Sequence, residues 1–136
     1  MAERLIEFKP EIEDLARLEG ELEAFGEEAG FEAKLIWQLN LILEELLTNT
    51  LSYGCVKSSD CWIKVALRQE GGILTIILTD NAVAFNPAVS GKADITAGLE
   101  DRKIGGLGIH IVTSFVDELA YKRIGDVNHL TLIKKI

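Results

Sequence analysis

Apolar residues recur along this chain with two different periods. Between residues 11 and 29, Ile12, Leu15, Leu18, Leu22 and Phe25 fall at three- and four-residue steps with acidic residues between them. That spacing predicts an amphipathic helix. Pro10 suits its first turn, and Gly30 breaks it. The helical period resumes near Phe31. Leu35, Ile36, Leu39, Ile42, Leu43, Leu46, Leu47 and Leu51 fill a broad arc of the wheel, and Gly54 ends this helix after Tyr53. Elsewhere the period is two. Leu5, Ile6 and Phe8 predict a short opening strand, and Cys61–Gln69 alternates apolar with polar residues. Ile73–Thr79 is more continuously apolar, which places it at the centre of a sheet, and Glu70-Gly71-Gly72 supplies the hairpin turn before it. Near the end, a helix is predicted from Leu107 to Asp117, then strands at Leu119–Arg123 and Leu130–Lys134 joined by the Gly125–Asn128 turn.

Between Asn81 and Gly106 neither period holds, apart from a short helical stretch around Ile95–Leu99. A loop this long in a compact domain is usually functional or mobile. The order β-α-α-β-β-loop-α-β-β predicts an α+β sandwich, with helices on one face of a mixed or antiparallel sheet. At 136 residues, with no internal repeat or linker, residues 1–136 read as one domain.

Composition narrows the function classes. The net charge of −8, with no basic stripe, argues against direct nucleic-acid binding. A polyanionic ligand would need a metal ion and local backbone donors. No apolar run reaches membrane-spanning length, and MAERLIEFKP is too charged for a signal peptide, so a cytoplasmic protein is expected. Cys55 and Cys61 match no zinc spacing and are read as reduced thiols.

Three features carry candidate chemistry. Glu45 and Asn49 are four residues apart, on one face of the second helix at the edge of its apolar arc, while Glu44 points elsewhere into solvent. A carboxylate and a carboxamide so placed can offer oxygen ligands to magnesium or orient a hydroxyl. Taken alone they are more often polar residues on an amphipathic helix. Asp80 ends the apolar strand and opens the long loop. It can accept a hydrogen bond from an exocyclic amine, although an Asp there more commonly caps a turn. Gly105-Gly106-Leu107-Gly108 precedes a helix. Free N–H groups at a helix start favour phosphate, but such joints often serve only the turn. No GK[ST] follows, and the context of a dinucleotide fingerprint is missing.

In this order, Glu45-x-x-x-Asn49, Asp80 followed by Phe85 and Pro87, and Gly106-x-Gly108 resemble the three nucleotide-binding boxes of the GHKL (Bergerat-fold) ATPase superfamily. LILEELLTN, DNAVAFNP and GGLGIHIVTSFVDELAY look most like the anti-sigma-factor serine/threonine kinases of bacterial partner switching. The resemblance covers nearly the whole chain. It implies a two-layer α/β sandwich with a largely antiparallel sheet, a mobile ATP lid over residues 88–104, and Mg2+ and ATP as cofactors. It implies that Glu45 is the general base, Asn49 the magnesium ligand and Asp80 the reader of the adenine amino group. The implied nucleotide-binding set is Asn49, Asp80, Ala82, Phe85, Lys103, Gly105, Gly106, Leu107 and Gly108. It also implies a STAS-domain anti-anti-sigma protein as partner, a sigma factor or other regulator as a further one, and a homodimer as the assembly. Neither a membrane nor a nucleic acid is expected as a partner. His110 is read as a packing residue. No phosphoacceptor helix pair precedes the boxes, so a complete histidine kinase is not expected.

The chain departs from that pattern twice. Where the family carries Asp-x-Gly, this chain has Asp80-Asn81-Ala82, which puts a methyl group where the backbone approaches the base or where the conformation disfavours alanine. Where related kinases place an arginine before the glycines, Ile104 stands here, with Arg102 and Lys103 adjacent and acidic Asp94, Glu100 and Asp101 in the same segment. Two functions therefore compete: a Mg-ATP-dependent serine/threonine kinase, and a catalytically weak or inactive nucleotide-binding adaptor that sequesters a regulator.

Overall fold

Residues 1–55, 60–84 and 112–136 are described in the computed structural model. Strand β1, Ala2–Phe8, sets the pattern of the sheet: Ala2, Ile6 and Phe8 are buried, while Glu3, Leu5 and Glu7 face outward. Strands β2 (Ile63–Glu70), β3 (Ile73–Asp80), β4 (Glu118–Ile124) and β5 (Val127–Lys135) complete it in the order β1-β2-β3-β5-β4. Every pairing among these strands is antiparallel. The central place predicted for the strand at Ile73–Thr79 is the one β3 occupies. Two-residue turns close both hairpins, and Gly71 and Gly125 take the positive φ they need, at 61° and 59°.

The expected first helix is split. Ile12–Ala16 forms a 3-10 turn, and helix α1 runs Arg17–Ala29. The Asp14 carboxylate diverts the chain by accepting from the Lys9 backbone N–H at 2.8 Å. Gly30, at φ 74°, ends α1 in the left-handed conformation, and Phe31 N–H closes back onto the Gly26 carbonyl at 2.8 Å. Helix α2 is Ala33–Asn49, shorter than the predicted span because a π turn takes over at Thr50–Gly54. A Cβ at Gly26 would collide with the Ile36 side chain, so glycine lets the two helices approach closely.

Both helices lie on the inward face of the sheet. Leu18, Leu22 and Phe25 of α1 and Leu39, Ile42, Leu43, Leu46 and Leu47 of α2 share one buried cluster with Ile6, Val65, Leu67, Leu74, Ile76 and Leu132. Truncating one of the buried leucines or isoleucines to alanine would cost about 2–5 kcal/mol. The opposite face carries a row in register, Leu5, Ala66, Ile77, Thr131 and Ala120. Because no described element covers it, Ile73 and Ile77 stay exposed despite the continuous apolar run of β3.

One expectation is overturned. Cys55 and Cys61 are paired in a disulfide, not held as free thiols. The π turn and the approach to β2 bring their Cα atoms to 5.7 Å, inside the range a disulfide spans. The zinc-spacing test applied to the sequence does not address that proximity. Of the predicted late helix, residues 112–115 are helical within the described part. The helical stretch Ile95–Leu99, the lid, Ile104 and His110 lie outside the described residues.

Candidate functional site

Asp80 is the last residue of β3 and is only 8% exposed. Its Oδ1 accepts from the Ala82 backbone N–H at 3.0 Å and from Asn128 Nδ2 at 2.8 Å. Burial pushes its carboxyl above the ordinary carboxylate value, against the lowering by these two hydrogen bonds and by the nearby Arg123 and His129. Among the described residues, Oδ1 of this carboxylate has two donors and Oδ2 has none.

The segment after Asp80 is held on two sides. Asn81 reaches toward β2: its Oδ1 accepts from the Trp62 backbone N–H at 2.7 Å, and its Nδ2 donates to the Asp60 carbonyl at 2.9 Å. On the other side Asn128 Nδ2 also donates to the Ala82 and Val83 carbonyls, at 3.2 and 3.1 Å. Arg123 Nη1 donates to the Ala82 carbonyl at 3.1 Å and to Asn128 Oδ1 at 2.9 Å, and Tyr121 donates its hydroxyl to Asn128 Oδ1. Asn128 is 5% exposed, so a fully bonded carboxamide is what burial there requires.

Ala82 sits in this framework without strain. Among the described residues only glycines have positive φ, so Ala82 has ordinary backbone, and its methyl lies in the apolar core at 5% exposure. The conformational objection to alanine at this position is removed.

The second group is on α2. Glu45 is half-buried, Asn49 is 8% exposed, and Glu44 is solvated as expected. Asn49 is the final residue of α2, just before the helix widens into the π turn, a feature frequent at functional sites. Its Nδ2 is buried with no hydrogen-bond partner among the described residues. Leaving such a donor unmet costs about 1–3 kcal/mol, so it calls for an acceptor such as a phosphate or water oxygen, while the carboxamide Oδ1 is the atom a cation would use. No described bond joins Glu45 or Asn49 to Asp80. Both groups border one core, because Leu46, Leu47 and Leu51 cluster with Leu78 and Ala82. Phe85, Lys103, Gly105, Gly106, Leu107 and Gly108 lie outside the described residues.

Magnesium is a hard cation that takes few protein ligands and is otherwise held by phosphate and water. Among the described residues no cluster of three acidic, His or Cys side chains forms. A site of that sparse kind needs none. The oxygen of the Asn49 carboxamide, with Glu45 one turn away, fits it. The groove on the outer sheet face, lined by Leu5, Ala66 and Ile77 among others, lies on the side of the sheet opposite Asp80 and takes no part.

Sequence reasoning missed Asn81, Tyr121, Arg123 and Asn128. For Asn128 a signal existed: it shares the inward parity of Leu130 and Leu132, so it is a polar residue at a core position.

Two helices on one face of an antiparallel sheet, with a buried carboxylate at a strand end and a buried carboxamide at a helix end, make an α+β domain with polar groups set against its core. Residues 8–134 match the histidine kinase-like ATPase domain, and the chain belongs to that family. Membership implies ATP binding. The chain is 29% identical to serine/threonine-protein kinase BtrW of Bordetella bronchiseptica over 102 residues, covering 75% of this chain and 72% of that one. It is 27% identical to serine-protein kinase RsbW of Listeria monocytogenes over 115 residues, 82% of this chain and 72% of the other. A similar kinase of Listeria innocua is 26% identical over the same length.

Proposed function

We propose that this protein is an anti-sigma factor of bacterial partner switching that acts as a Mg-ATP-dependent serine/threonine kinase on a STAS-type antagonist protein. The observation that carries the reading is the buried carboxamide of Asn49, one helical turn from Glu45, whose NH2 group has no partner among the described residues, in a chain of the histidine kinase-like ATPase family. The kinase names of its relatives supply the acceptor class. On this reading residues 1–136 are one domain working in the cytoplasm, with a sigma factor or other regulator as the sequestered partner.

Each described residue has a separable task. Asp80 offers Oδ2 to an exocyclic amine of the base, while Ala82 N–H and Asn128 hold Oδ1. Asn49 would supply an oxygen to magnesium, whose charge would offset that of the phosphates. Glu45 accepts the proton of the attacking serine hydroxyl. The phosphates are assigned to Gly105, Gly106, Leu107 and Gly108, and Lys103 and Phe85 complete the assigned nucleotide-binding set. The weak-adaptor reading loses one of its two supports, because Ala82 sits in unstrained backbone.

The test is phosphoryl transfer to a cognate STAS protein under saturating Mg-ATP, read by mass spectrometry. A phosphoserine product made by wild type and absent with Glu45→Gln is expected. ATP binding without any phosphoserine product would leave only the adaptor.

A further inference from the structure

Asn128 lies directly opposite Asp80 in the β3–β5 register. The chemistry around its carboxamide fixes which end is which. Arg123 can only donate, so the atom at 2.9 Å from its Nη1 must be oxygen. The Ala82 and Val83 carbonyls can only accept, so the atom facing them must be the NH2 group. The amide therefore has one orientation, and in it Nδ2 donates to Asp80 Oδ1. A donor on that side fixes the orientation of the Asp80 carboxylate and favours its ionised form, in which both oxygens accept. The same amide pins the Ala82 and Val83 backbone that follows Asp80, which Arg123 also holds through the Ala82 carbonyl.

We propose that Asn128 is a specificity-setting positioning residue, which leaves the second Asp80 oxygen as a fixed acceptor and so makes the site prefer a 6-amino purine over a 6-oxo purine. This rests on the nucleotide-binding reading above. A 6-amino group donates to that oxygen, whereas a 6-oxo group meets it acceptor to acceptor. Without Asn128 the Asp80 carboxylate loses its locked orientation and can protonate or rotate, and the distinction between the two bases fades.

The experiment is titration of Mg-ATP and Mg-GTP against the intact chain by calorimetry. The triphosphate is common to both, so their affinity ratio isolates the base. Wild type is expected to favour ATP. Asn128→Leu is expected to weaken ATP at least 30-fold and GTP less than threefold, so the ratio collapses. Asn128→Thr, whose hydroxyl can donate to Asp80, is expected to restore part of the ratio. Tyr121→Phe, which removes one donor to Asn128 Oδ1 and keeps the amide, is expected to lower the ratio three- to tenfold, and it serves if the leucine variant does not fold. Equal losses of ATP and GTP in these variants, or an unchanged ratio, would overturn the role of Asn128 and leave nucleotide binding standing. A wild type that binds ATP and GTP alike would overturn it too. A wild type that binds neither would overturn the nucleotide-binding reading itself.

Discussion

Asp80→Asn exchanges one carboxylate oxygen for an NH2 group in a site where Oδ1 has two described donors and Oδ2 is the oxygen assigned to the base. The remaining oxygen keeps the position where Ala82 N–H and Asn128 Nδ2 converge, because that arrangement preserves both hydrogen bonds, at 3.0 and 2.8 Å. The new NH2 then stands where Oδ2 stood and faces the amino group of the base, donor against donor. A hydrogen bond to a charged acceptor contributes about 1.5–3 kcal/mol, and an opposed buried donor costs about 1–3 kcal/mol more. A conservative loss of about 3 kcal/mol corresponds to a roughly 150-fold rise in Kd for ATP.

The same substitution does not harm the fold. Burial is the largest influence on Asp80 and acts against its charged form, so the neutral amide removes that penalty. Because the folded carboxyl titrates above its unfolded value, its stabilising contribution is complete below the unfolded value and disappears as pH rises through the folded one. The asparagine variant should therefore melt no lower than wild type near pH 7.5, and it should lack wild type's loss of stability as pH rises through the folded Asp80 value. Melting curves without ligand and calorimetric ATP titration at the same pH make the comparison. A Kd within threefold of wild type, at unchanged apo melting, would refute the assignment of Oδ2 to the base.

Asn49→Ala should abolish the Mg2+-dependent part of ATP affinity, measured by titration with and without EDTA, whereas Glu45→Gln should retain binding and make no phosphoserine product. Equal loss of binding in both would contradict their separate tasks. Reduction of Cys55–Cys61 opens a loop of sequence separation 6. It should lower stability by about 2 kcal/mol, and melts with and without reductant, alongside thiol counting, check this. Asp14→Asn should lower the melting temperature at pH 7. The Lys9 N–H and Arg17 hold the Asp14 carboxyl below its ordinary value, so its contribution is present above the unfolded value and lost as pH falls through the folded one; the gap between the variants should close in acid. Ala82→Gly should cost about 0.5–1 kcal/mol in stability and improve ATP affinity less than twofold, since the backbone there does not need glycine.

What the sequence reveals of this molecule depends on how far each interaction reaches along the chain. The β3 strand, both tight hairpins and the amphipathic arcs of α1 and α2 are local, and periodicity with glycine placement was enough to read them. The helices on one face of a mixed or antiparallel sheet followed from element order, and the family resemblance implied the largely antiparallel pairing. The split at Asp14 and the π turn after Asn49 were not legible, because each is set by a hydrogen bond whose partner lies outside the local period: Lys9 in one case, and the Thr50 carbonyl receiving Cys55 N–H in the other. The disulfide failed for the same reason, since separation in sequence says little about separation in space once a turn intervenes.

Ala82 shows how that limit bears on the site. Read along the sequence, alanine at this position weakens the case for ATP, because a glycine rule is a rule about backbone conformation. The structure supplies the reason the rule is not needed here. Asn128, 46 residues further on, and Arg123, 41 residues further on, grip the Ala82 carbonyl, while Asn81 is tied to the segment before β2. The turn is thereby set by side-chain donors and not by glycine's conformational freedom, and alanine's methyl can serve the core. If this account holds, Ala82 and Asn128 are a coupled pair. Loss of the Asn128 amide should then be more damaging in the Ala82→Gly background, where the turn has lost its remaining restraint, than in wild type. A double-mutant cycle on apo stability measures that coupling, and strict additivity would contradict it.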